Sequence, residues 1–162
     1  MQDTWKVDRS APRCTACSKE FADGQDFFSA LADNGQDFRR MDYCRACWDQ
    51  TDRAPFFSFW KTRRRADKRP PRIDVEVVLD LFNKLAGSDR PDRVEMQFVL
   101  ALYLTRRKAL KLAGVRRDDE REYLRFRRPR SEEEILVENP RLDEQQIAAM
   151  NARLKDLFQA EL

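Results

Sequence analysis

The chain has 162 residues, 32 lysines and arginines against 29 acidic residues, and no histidine. That length fits one domain or one domain with a small module attached, and the lack of histidine removes the commonest general base and proton shuttle. With a mean hydropathy of −0.80 and no apolar run longer than Phe98 to Leu104, no stretch approaches the roughly 18 apolar residues of a membrane helix.

The chain starts MQDTWKVDRSAPR, without the apolar region of a signal peptide. A cytoplasmic location is the expectation. Residues 1–60 hold all four cysteines and seven of the eleven phenylalanines, and they are rich in turn residues. Alternation around Asp26–Leu31 and Asp37–Tyr43, with Asp33-Asn34-Gly35 between, predicts a β-hairpin.

Cys14-Thr15-Ala16-Cys17 and Cys44-Arg45-Ala46-Cys47 are two CxxC pairs with 26 residues between them. Each pair lets two thiolates converge on one ion, and two pairs close a tetrahedral shell around Zn²⁺. Zinc motifs of this kind more often have about 15–20 intervening residues. A hairpin at Asn34-Gly35 absorbs the excess. With four thiolates and no open position, the expected Zn²⁺ at Cys14, Cys17, Cys44 and Cys47 is structural. An iron site would use the same thiolates. Disulfides do not suit a cytoplasmic chain, and a thioredoxin-like redox pair would need a βαβ pattern that is missing. Trp48 and a short polar stretch follow the second pair. Hairpin, paired cysteines and short helix together predict a treble-clef or zinc-ribbon-like module over residues 1–60.

Residues 61–72, KTRRRADKRPPR, carry seven cations and one acid. They read as a basic linker. Residues 1–60 are net −2 and residues 131–162 net −5, so the middle of the chain is basic and both ends are acidic. Phe56, Phe57, Phe59 and Trp60 precede the cations. Trp60, Lys61, Arg63, Arg64, Arg65, Lys68 and Arg69 therefore form a candidate nucleic-acid surface, with a ring to stack a base and cations to track phosphates. Equally, the aromatics can pack beneath the cysteine module while the cations stay solvated or meet the acidic tail.

Residues 73–162 read as helix, helix, hairpin, helix. Asp74 caps a helix to Ala86, with Gly87 past its end. Asp92 and Glu95 resemble a capping box opening a helix to about Ala113, stopped by Gly114 and about 33 Å long. Its apolar middle, Phe98–Leu104, is the expected core. Its last turns carry Arg106, Arg107, Lys108 and Lys111, a second basic group that Arg116 and Arg117 extend. Glu122–Arg127 alternates, and Ile135–Val137 is the expected return strand. Arg125, Arg127, Arg128 and Arg130 form a third basic group there. Asp143 with Gln146 caps a last helix, whose stripe is Ile147, Met150, Leu154, Leu157 and Phe158. The expected fold is thus α+β, a small zinc module joined to a mostly helical domain with one β-hairpin.

FRRMDYCRACW, FFSFWKTRRR, RIDVEVVLDLFNKLAG, MQFVLALYLTRRKALKLAG and VENPRLDEQQI together resemble a family of uncharacterised bacterial proteins, from about Trp5 to Leu157. The family brings no established activity. Some members lack part or all of the cysteine set yet keep the Asp42-Tyr43 and Trp48 positions, so the resemblance implies a metal that acts as a replaceable staple.

No glycine-rich phosphate loop, GxSxG elbow or metalloprotease helix is present, and there are only four glycines. No small-molecule substrate is evident. Two functions emerge as expectations, neither catalytic. One is a structural-zinc module docking on RNA, DNA or a ribonucleoprotein. The other is a protein–protein adaptor with zinc as a staple. Charge placement in three dimensions discriminates them.

Overall fold

The computed structural model describes residues 13–66 and 72–160. They fall into two compact units. The first gathers residues up to 66 with those from Asp156 onward, and the second runs from Arg72 to Lys155.

In the first unit, β1 (Asp26–Asp33) and β2 (Phe38–Tyr43) form the expected hairpin. Its turn is held by short side chains bonding their own backbone. Asn34 Oδ1 accepts from the amides of Gln36 and Asp37, and Asp33 Oδ1 from that of Gly35. Gly35 sits at φ +87°, a backbone conformation in which an L side chain is strained. A short helix α1 (Arg45–Asp49) comes next, and then β3 (Phe56–Arg63) pairs antiparallel with the other edge of β1. The sheet order is β2-β1-β3.

Trp48 of α1 is only 2% exposed. Its ring lies 5.0 Å from Phe28, stacked, and within 6 Å of Tyr43, Phe56 and Phe59. Phe21 and Phe27 stack at 4.4 Å in the same cluster. The phenylalanine excess of the first sixty residues is therefore mostly core.

The second unit holds α2 (Val75–Leu85), α3 (Pro91–Arg106), β4 (Lys111–Asp118), β5 (Arg121–Arg127), β6 (Glu134–Glu138) and α4 (Glu144–Phe158), whose last turn belongs to the first unit. Asp74 caps α2 by accepting from the Glu76 amide. The capping box of α4 is reciprocal: Gln146 N–H donates to Asp143 Oδ1, and Asp143 N–H to Gln146 Oε1. The middle of α3 supplies the core as expected, with Leu100, Ala101 and Leu104 fully enclosed. Gln97 is buried beside them and its amide nitrogen donates to the Phe82 carbonyl.

The expectation of a mostly helical domain with one hairpin is overturned. The second unit carries a three-stranded antiparallel sheet, β4-β5-β6, and the described residues hold two such sheets beside four helices. Two segments account for the difference. Helix α3 stops at Arg106 and not near Ala113, because Lys108 takes a left-handed φ of +60°. The segment from Lys111, which by sequence reads as the helix tail, is strand β4 paired along β5. In the first unit, Lys61 to Arg63, which by sequence read as the start of a linker, continue β3. Helix α3 also begins earlier than expected, at Pro91, with Asp92 bound to Arg90 and not acting as the cap.

Candidate metal centre

Cys14 and Cys17 lie on a tight turn before β1. Cys14 N–H donates to the Lys19 carbonyl and Ser18 N–H to the Cys14 carbonyl, while Arg13 and Glu20 bridge across its base. Ser18 takes φ +60° to close it. Cys44 is the N-cap of α1, and Cys47 lies in that helix's first turn. Thr15 N–H donates to the Asp42 carbonyl, tying the first turn to the end of β2 and so to the second cysteine pair. The folded sheet thus brings together two sequence-distant pairs.

All four sulfurs lie within 4.8 Å of one another, with Cys17 Sγ 3.9 Å from Cys44 Sγ. None forms a disulfide. A tetrahedral ion with bonds near 2.3 Å holds its sulfurs about 3.8 Å apart. The cluster matches that spacing closely enough to hold a metal ion. Cys14 is 1% exposed and Cys44 is buried, whereas Cys17 is exposed.

The donor electrostatics point the same way. Burial opposes ionisation of Cys14, but the backbone amides of Cys44, Cys17 and Ala16 and the Cys17 thiol outweigh it, and its pKa falls to about 6. Cys47 is pushed up to about 12 by hydrogen bonds with Cys44, Cys14 and Cys17, by burial and by the Cys14 charge. Four thiols this close cannot all ionise on their own, because each thiolate repels the next. A cation held between them would supply the missing charge.

The expected nucleic-acid residues stand differently. Lys61 Nζ is 2.8 Å from Asp26 and Arg63 Nε 2.6 Å from the same carboxylate. Arg64 Nε is 3.1 Å from Asp23. Trp60 is half-buried, with Phe158 at 5.4 Å and the Arg40 guanidinium at 5.5 Å from its ring. Arg65 is exposed. Lys68 and Arg69 lie outside the described residues. Of the other basic groups, Arg127 pairs with Glu132 and Glu134, Arg125 with Glu134, and Arg117 with Glu122.

Sequence reasoning missed a polar cluster around Arg40. Arg40 Nε binds Asp42 at 3.0 Å, Arg40 Nη2 donates to Ser29 Oγ, and Ser29 in turn donates to Asp42. Arg40 Nη1 donates to the carbonyls of Phe158 and Leu157, capping the end of α4. The alternation of β2 hinted at a face for Arg40, but nothing local could name a partner more than a hundred residues away.

No family model, curated protein or solved structure matches the chain. No helix among the described residues is long and apolar enough to cross a membrane.

Proposed function

We propose that this protein is a non-catalytic protein–protein adaptor whose four thiolates hold a structural Zn²⁺. Cys14, Cys17, Cys44 and Cys47 would fill the whole shell, leaving no position for a substrate. The metal would then act as a staple beneath the aromatic cluster of the first unit. Zinc suits four thiolates at this spacing, and an iron centre is told apart by colour and by elemental analysis of the purified protein.

The observation that carries the adaptor reading is the engagement of the connector. Lys61, Arg63 and Arg64 already face Asp26 and Asp23 in their own unit, and Trp60 is packed against Phe158 and Arg40. A polyanion would have to displace those carboxylates, and a base would have to displace that packing. Nucleic-acid docking therefore has less support than docking on protein.

Fluorescence anisotropy with a short single strand and a short duplex, titrated in salt, tests the reading. Little binding is expected even at low salt. Tight binding with a steep fall of log affinity against log salt, weakened in the Arg63→Ala, Arg64→Ala, Arg65→Ala triple variant, would overturn it in favour of nucleic acid.

A further inference from the structure

We infer that the outer edge of β4 is a strand-addition site for an extended peptide in which acidic and apolar residues alternate. This inference rests on the adaptor reading and names the surface that would carry it.

The sheet order β4-β5-β6 leaves β4 with one edge paired to β5 and the other paired to no strand among the described residues. Every residue of β4 except Gly114 is exposed. An open edge of eight residues presents backbone donors and acceptors in the spacing that a further strand needs.

The side chains then specify the visitor. Residues directly opposite one another share a face, and successive residues alternate. Leu112 stands opposite Phe126 and Val115 opposite Leu124, across from Ile135 and Val137 on β6. This is the core face. Its cover runs out towards β4. Val137 and Phe126 are enclosed, whereas Leu112 is 54% and Val115 48% exposed. An added strand with apolar residues on that face would continue the buried layer.

The opposite face carries Lys111, Gly114 and Arg116 on β4, with Asp118 at the strand's far end opposite Arg121. Lys111 and Arg116 have no acidic partner among the described residues, unlike Arg117, Arg121, Arg125 and Arg127 on the same sheet. Two unneutralised cations at strand spacing, with a glycine between, favour carboxylates at alternate positions of an incoming strand. Acidic residues facing Lys111 and Arg116, with apolar residues facing Leu112 and Val115, satisfy both faces at once. The bulge between Leu112 and Gly114 keeps the two sets in these positions despite the extra residue, Ala113.

The test uses the full chain and two labelled synthetic peptides, one alternating glutamate with valine and one alternating lysine with valine. Anisotropy should show the glutamate peptide bound at least about tenfold more tightly, the sum expected of several cross-strand pairs. The Lys111→Glu, Arg116→Glu double variant should reverse the preference. The Leu112→Thr, Val115→Thr variant should weaken binding by a similar factor while keeping the β propensity of the strand. Circular dichroism checks that each variant folds. Hydrogen exchange should slow within Lys111–Asp118 when the peptide binds, which a loose charge contact would not do.

Equal binding of both peptides, no binding at all, or no response to either variant would overturn the proposal. The adaptor reading falls separately, through the oligonucleotide titration. Concentration-dependent dimers in sedimentation, lost in the Leu112→Thr, Val115→Thr variant, would assign the edge to a second copy of the chain and also overturn the proposal.

Discussion

Asp26 sits between two cations at the start of β1, with Arg63 and Lys61 both hydrogen-bonded to its carboxylate. Those bonds hold its acid constant well below the usual carboxylate range. A carboxylate depressed on folding stabilises the fold above its unfolded value, near pH 4, and the contribution is lost as pH falls through the folded value. Asp26→Asn should therefore lower the melting temperature at pH 7. The gap from the parent protein should close as the pH drops below about 4. A gap constant from pH 7 down to 2 would show that the ion pairs contribute nothing. Arg40 has more at stake, because its side chain and that of Asp42 are both nearly enclosed. Arg40→Ala leaves Asp42 without its cation and uncaps α4. A loss of about 3 kcal/mol in denaturant unfolding is expected. The Arg40→Ala, Asp42→Ala double variant should lose less than the sum of the two single changes. Cys14→Ser opens the thiolate shell. Elemental analysis should find little zinc in it, and its first unit should unfold at lower temperature. Unchanged metal content would count against the four-cysteine site.

At the scale of elements, the legible features are the local ones. Asn34-Gly35 marks the first hairpin, and Asp143 with Gln146 marks the last helix start, because short side chains bonding nearby amides leave a signature in a few residues. The two CxxC pairs announce a four-thiol cluster that can hold a metal ion, for the same reason. Strand β3 is hidden because its alternation is disguised. Phe56, Phe57, Phe59 and Trp60 all contact other rings, and only small Ser58 marks the most enclosed position. Strand β4 is hidden by propensity. Lys-Ala-Leu-Lys-Leu-Ala prefers a helix locally, and pairing with β5 overrides it. Gly114 reads as a helix stop in the sequence. It stands instead at a bulge with φ +157°, and the Arg125 guanidinium lies over the place a Cβ would occupy, 2.6 Å from Nη2. Gly114→Ala should push that guanidinium off Glu134 and cost about 1 kcal/mol. No change in stability would mean that Arg125 swings away freely.

Across the whole molecule, the four-cysteine cluster and the described tryptophans fall in the same unit. Trp48 and Trp60 lie in the first unit, and the third tryptophan, Trp5, lies outside the described residues. The second unit, whose described residues contain no tryptophan and no thiol, holds α2, α3 and most of α4. Chelation of the metal should therefore shift tryptophan emission to the red while much of the helical circular dichroism persists. Emission unchanged after stoichiometric metal release would show that the aromatic cluster holds without its staple.

The Arg40 contact to the carbonyls of Leu157 and Phe158 also sets a schedule. A ribosome delivers Arg40 long before it delivers those carbonyls, at roughly 5–20 residues per second. For several seconds the nascent sheet carries a guanidinium on β2 and a tryptophan face on β3 whose cover has not been made. The sheet is thus finished only after the last turn of α4 has been made, and a nascent chain stalled before Asp156 leaves the Trp60 face without the Phe158 ring that packs against it.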